Sequence, residues 1–373
     1  MSVARFSVAA TDGDARSGTL TLPRGVVDTP AFMPVGTRAA VRGLDSEDLL
    51  ALGTQMVLSN TYHLMLRPGA ETVAALGGLA AFQGWGGPTL TDSGGYQIFS
   101  LDPTITEHEA VFRSTYDGSE VRISPEEAIR VQELLGADVA MVLDVLIGLP
   151  SPPEAVEAAL EQTLRWSERA LAVHGRQDQA LFGIVQGGVD PDLRRRSARA
   201  TAALGFPGFG IGGLSVGESP EERNAALEVV VPELPADRVR YVMGLGDAEG
   251  VLDAVARGCD LFDCVWPTRL ARHGRVLTPD GDYNLRRAEY AEDPRPLHPD
   301  CDCRACRLVG RAYLRHLLQT RELSVLRLLS IHNLAYTLRL MAQTREAILA
   351  GRFSEHHAMV VERRRNGDAG RGG

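Results

Sequence analysis

Three aspartates stand where short apolar runs end: Asp92 in TLTDSGG (89–95), Asp144 in VAMVLDV (139–145) and Asp263 in CDLFDCVWP (259–267). Asn60, Gln186, Gly213 and Met243 close four other runs in the same way. A carboxylate that follows apolar residues is costly to bury without a partner. Taken singly, each aspartate reads equally as a helix cap or a member of a salt bridge. Three of them beside a glutamine favour a site instead, since carboxylates both move protons and attack electrophilic carbon. Glycines crowd the same places, at Gly94-Gly95, Gly187-Gly188 and Gly212-Gly213. Without a Cβ they let a flat ligand approach the backbone, and they also make tight strand-to-helix turns.

A second constellation is Cys301, Cys303 and Cys306, spaced C-x-C-x2-C, with His332 further on. Three thiolates and one imidazole fill a tetrahedral zinc site with protein ligands, which makes such a zinc structural, one per chain. Spacing alone leaves His298 and His316 as competitors for the fourth position. Cys259 and Cys264 lie on an apolar run and read as core thiols.

The elements that must position these groups alternate. Candidate strands are TPAFMPVG (29–36), QMVLSN (55–60), 89–95 and 139–145, then ALFGIVQGG (180–188), GFGIGGL (208–214), RVRYVMGLG (238–246) and 259–267. Helical patterns separate most of them: Leu44–Leu52 with Ser46 as cap, Pro125–Leu135 after Ser124, then Pro153–His174, Pro191–Leu204, Pro220–Val231 and Gly246–Arg257. Eight strand–helix units predict an α/β fold, a (β/α)8 TIM barrel, with an open doubly wound sheet as the alternative. In a barrel the C-terminal strand ends build the active site, which puts the aspartates on one face. The expected organisation is a catalytic barrel over 1–267 with a hairpin insertion near 101–123, turning at Asp117-Gly118, and an Arg-rich zinc-binding subdomain over 268–335. C-terminal helices packed on the barrel follow over 336–360, with a strongly helical pattern from Val309 to Leu349, and 361–373 reads as a disordered tail. The stretch GFGIGG (208–213) fits G-x-G-x-x-G, but its glycines lie inside the apolar run, which argues against a dinucleotide cofactor.

No apolar run approaches membrane-spanning length and the N-terminus lacks a signal-peptide core, so the expected location is the cytoplasm. The net charge of −9 argues against a general nucleic-acid binder, although local charge decides binding. Every one of the 39 basic residues is arginine. Residues 265–315 hold ten arginines against seven acidic residues, a local positive excess.

These motifs resemble the bacterial queuine/tRNA-guanine transglycosylases from about Phe6 to Phe353. The matching stretches are LSNTYH (58–63), TDSGGYQ (91–97), GIVQGG (183–188), GGLSVGE (212–218), YVMGLG (241–246) and FDCVWPTR (262–269), followed by the cysteine cluster and His332. The resemblance implies a barrel with an inserted zinc subdomain that exchanges guanine at the wobble position of tRNAs with a G-U-N anticodon for a 7-deazaguanine. It implies Asp263 as nucleophile and Asp92 as general acid/base. It implies Asp144 as the base-reading carboxylate, Gln186 and the Gly213 amide on the base carbonyl, and the Leu214 carbonyl on an aminomethyl group. Tyr96 and Met243 would sandwich the ring, Arg269 and Arg272 would meet the RNA, and the assembly would be a homodimer.

One departure bears on the incoming base. Bacterial members usually read Asp-Glu-Cys where this chain has Asp144-Val145-Leu146. Leu146 resembles the eukaryotic branch, which scavenges queuine. Val216 keeps the bacterial character where that branch has glycine, and a steric block is harder to evade. The expected incoming base is therefore 7-aminomethyl-7-deazaguanine, with queuine as the alternative. Two rivals remain: a non-catalytic tRNA-binding subunit of the same fold, which should lack both Asp92 and Asp263, and a metal-dependent barrel hydrolase, which needs metal ligands at the strand ends.

Overall fold

The computed structural model describes residues 3–369. The chain opens with an antiparallel sheet of β1 (Arg5–Asp12), β2 (Ala15–Leu22) and β3 (Gly25–Thr29). The barrel starts with β4 (Ala31–Gly36), β5 (Val57–Ser59) and β6 (Thr89–Thr91). A three-stranded antiparallel sheet interrupts it, made of β7 (Thr104–Ile105), β8 (Ala110–Arg113) and β9 (Glu120–Ile123). The barrel resumes with β10 (Val139–Met141), β11 (Ala180–Val185), β12 (Gly208–Ile211), β13 (Val239–Val242) and β14 (Leu261–Cys264). These eight strands close in the order β10-β11-β12-β13-β14-β4-β5-β6, all parallel, with Val139 against Leu90 completing the ring.

Each barrel strand lies inside one of the expected apolar runs. They read as continuous apolar segments because both faces of a parallel barrel strand are covered. Every residue of β10 through β13 is buried. The polar residues of interest gather at the C-terminal ends of the strands, with Asp263 the penultimate residue of β14.

The sequence pattern missed the N-terminal sheet, whose strand β1 is exposed or half-buried throughout and whose β3 mixes exposed and buried residues. The sheet is bolted to the barrel by charge. The Arg16 guanidinium donates to both oxygens of buried Asp260 at 2.8 and 2.5 Å, just before β14. Arg24 reaches Asp138, just before β10, at 3.2 Å. These pairs close the end of the barrel opposite the aspartate triad.

Most helix limits fall within two residues of expectation. Ser124 caps Pro125–Leu135 through the Glu127 amide. The first helix is Ser46–Ala51, and its cap is Asp45 rather than Ser46: Asp45 and Asp48 form a reciprocal capping box. The 101–123 insertion has one strand more than a hairpin, although Gly118 does turn with φ +73° next to the Arg113–Glu120 pair. The helical pattern over Val309–Leu349 is two helices, Arg311–Thr320 and Leu323–Leu349, broken at Arg321 with φ +60°. The longer one runs continuously through the boundary expected at 335/336 and packs on β1, β2 and β4. The expected disordered tail fails for 361–369, because a helix spans Phe353–Ala369 with Arg364 paired to Asp282 at 3.0 Å. Residues 370–373 of that tail lie outside the described residues.

Candidate active site

The C-terminal ends of the strands surround a cavity of about 300 Å³. Asp92, Asp144 and Asp263 all line it, with Tyr96, Gly213, Leu214 and Met243. Gln186 is buried behind that lining and joins it through Asp144. One closed ring of strands thus brings together residues that lie up to 171 positions apart in the chain.

Asp263 lies on β14, and its Oδ1 accepts from the Tyr241 hydroxyl at 2.5 Å and the Gly244 amide at 2.8 Å. Its Oδ2 takes no hydrogen bond among the described residues, so one oxygen is held and the other is unengaged. Burial raises the Asp263 carboxyl above the usual range, opposed by those two donors. Asp92 accepts from the Thr61 amide at 2.8 Å and, in a short contact, from Asn60 Nδ2. Burial pushes Asp92 up to about 6 against these donors, and the Asp263 charge adds to the rise. A carboxyl poised there can both give and take a proton near neutrality.

Asp144 accepts from Ser93 Oγ at 3.0 Å and Gln186 Nε2 at 2.6 Å, and burial raises it as well. Asp144 lines the cavity, where a carboxylate can accept from adjacent ring and exocyclic N–H groups of a base. Gln186 spends one amide hydrogen on Asp144. Gly213 has φ +68°, and a Cβ there would collide with the Gln186 side chain, so only glycine fits. Tyr96 is 61% exposed and forms the rim, whereas Met243 is partly buried on the wall. Leu146 and Val216, the two residues that disagree about the incoming base, line the same cavity.

Several contributors were missed in the sequence. Tyr241 precedes Met243 by two, so period-two alternation along β13 would have turned both inward. Asn60 was noticed at a strand end, but its partner Asp92 ends the neighbouring strand β6, 32 positions along the chain. Gln97 and His63 also line the cavity; each closes one of the matching stretches, 91–97 and 58–63, but neither was assigned a role.

Arg269 and Arg272 do not line the cavity; they lie on the helix Trp266–Arg272 that follows β14. Burial and the neighbouring charges of Arg42 and Arg269 hold Arg272 below the usual guanidinium value. Like charges gathered at a rim favour an anionic partner.

Cys301, Cys303, Cys306 and His332 converge with their ligand atoms within 4.8 Å of one another, and neither His298 nor His316 joins them. Nδ1 of His332 is 3.5, 3.7 and 3.3 Å from the three sulfurs, the edge lengths of a tetrahedron around one metal ion. Its other ring nitrogen bonds the Leu277 carbonyl at 3.0 Å, which orients the ring as metal-bound histidines require.

A model of the queuine tRNA-ribosyltransferase family matches residues 11–366. The chain belongs to this family. It is 52% identical to the queuine tRNA-ribosyltransferase of Symbiobacterium thermophilum, over 96% of this chain and 90% of that one. The Thermus thermophilus protein of that name is 51% identical over 96% and 94%, and the Brucella melitensis one 50% over 97% of each. The enzyme is therefore a pentosyltransferase of the tRNA-guanine transglycosylase class, which exchanges a guanine base in tRNA. No helix among the described residues is long and apolar enough to cross a membrane.

Proposed function

We propose that the enzyme replaces guanine at the wobble position of G-U-N tRNAs with 7-aminomethyl-7-deazaguanine, by double displacement through Asp263. The observation that carries this is the pairing of Asp92 and Asp263 across one cavity, each oriented by its own donors. Asp263 Oδ2 attacks C1′ of the target ribose as the C1′–N9 bond breaks and its electron pair goes to the base. Protonated Asp92 gives the departing guanine its proton. The 7-deazaguanine then enters and Asp92 takes the proton from its N9. That nitrogen attacks C1′ and displaces Asp263, restoring both carboxyls. Two inversions retain configuration.

Asp144 accepts from N1–H and the 2-amino group, while Gln186 and the Gly213 amide donate to O6. Tyr96 and Met243 replace the stacking the base loses, at low cost because an anticodon loop is single-stranded. The Leu214 carbonyl accepts from the aminomethyl group. Arg269 and Arg272 meet the RNA phosphates. Zinc is the metal the Cys3His set fits best, and it would hold the subdomain's shape without entering the reaction. The working assembly is a homodimer, as the family resemblance implies.

The test is incorporation of labelled guanine into G-U-N tRNA by zinc-loaded protein; no incorporation would sink the proposal. Leu146 favours a second reading, with queuine as the incoming base. Direct competition between the two bases separates them: preference for queuine would overturn the assignment based on Val216.

A further inference from the structure

Arg194 lies on the helix Pro191–Ala203 and is fully buried. A buried guanidinium ordinarily faces a carboxylate. This one faces only carbonyl oxygens: Nε donates to Gly188 at 2.7 Å, Nη1 to Gly212 at 2.8 Å and Val185 at 3.2 Å, and Nη2 to Gly213 at 3.2 Å. Burial pushes its pKa down to about 10, so it still carries its charge at neutral pH. The nearest opposing influence is Glu218, which is itself engaged by the Ser215 and Val216 amides.

A charge kept in so costly a place, bonded to four carbonyls at two adjacent strand ends, needs a reason beyond packing. The Gly212 carbonyl and the Gly213 N–H belong to one peptide group. That N–H has no acceptor among the described residues, and Gly213 lines the cavity. A cation bonded to the carbonyl end of a peptide makes the N–H end a stronger donor, because linked hydrogen bonds polarise one another.

We infer that Arg194 is a positioning residue for the base pocket: through the Gly212–Gly213 peptide it aims and strengthens the Gly213 N–H toward the 6-oxo oxygen of the bound purine. Negative charge collects on that oxygen as the glycosidic bond breaks, and donors fixed beforehand lower the barrier to charge development. The inference rests on the base-exchange reading and adds to it the origin of the pocket's preference for a 6-oxo base.

Arg194→Met removes the charge at similar bulk, and Arg194→Lys keeps it with fewer bonds. The measurements are kcat and KM for guanine exchange and inhibition constants for guanine and 2-aminopurine, which keeps the ring and 2-amino group but lacks the 6-oxo oxygen. Arg194→Met should lower kcat roughly 10–100-fold, less than the roughly 10²–10³ that removing such a donor outright costs, because the Gly213 N–H is weakened and not lost. It should also weaken guanine about 10-fold while leaving 2-aminopurine nearly unchanged. Arg194→Lys should recover part of both. A parallel loss for the two bases, or an unchanged ratio, would overturn the inference. If Arg194→Met does not fold, the ratio in Arg194→Lys decides alone. Wild-type protein that exchanges no guanine defeats the base-exchange reading and this inference together; active wild type with unchanged ratios in the variants defeats only the role of Arg194.

Discussion

Asp263 and Asp92 differ in how their oxygens are used. The Tyr241 hydroxyl and Gly244 amide hold one oxygen of Asp263, which leaves the other unengaged for the proposed attack. Asp263→Ala should therefore abolish the denaturant-stable protein–RNA adduct and lower kcat by at least about 10³-fold. An adduct that persists would reassign the nucleophile. Asp92 invites a stability test, because its carboxyl sits at about 6 in the folded protein against an ordinary 3.8. The folded state binds this proton more tightly than the unfolded chain does. Stability from Asp92 is thus present at low pH and is lost as pH rises through the window between those values. Asp92→Asn, which cannot ionise, should gain about 3 kcal/mol over wild type between pH 3.5 and pH 7.5. Denaturant unfolding at the two pH values checks it, and a gap independent of pH would contradict the assignment.

At the scale of elements, the barrel strands are short and the pieces around them hold the mouth in shape. The N-terminal sheet depends on Arg16 clasping Asp260, both nearly inaccessible. Arg16→Ala would strand a buried carboxylate, at a cost of about 3–5 kcal/mol. A loss below 1 kcal/mol by urea unfolding would show that the pair is dispensable. The Cys3His group joins the start of the short helix Arg304–Leu308 to the long helix Leu323–Leu349. Cys303→Ser should empty the site of zinc and lower Tm by about 10 °C. Metal analysis and calorimetry report both, and full zinc content in the variant would disprove the ligand set.

For the molecule as a whole, a net charge of −9 has to meet a polyanion. Arg42, Arg269 and Arg272 gather enough local positive charge to carry the proposed RNA contact without a basic protein. Replacing Arg269 and Arg272 by alanine should weaken tRNA binding and reduce the slope of log K against log salt by about 1.4–1.8. Affinity for the free base should not change. An unaltered salt slope would put the RNA elsewhere on the surface.

Apolar runs and the polar residues that end them were enough to locate all eight barrel strands, because a doubly covered strand leaves an unbroken hydrophobic signature. The cysteine spacing marked the metal group for a similar reason: ligands close in sequence must converge. What needed the tertiary structure was every side-chain contact between neighbouring elements. Only there do Asn60 meet Asp92, Tyr241 meet Asp263, and Arg194 meet the Gly212 carbonyl. The fourth member of the cysteine cluster emerged in the same way, with His332 brought in from a distant helix and His298 turned instead to Asp280. Half-exposed strands such as β1 and β3 carry no continuous apolar run, so the sheet beneath the barrel stayed hidden. Local pattern marks which residues must be buried or exposed; long-range packing alone decides which polar group each aspartate faces.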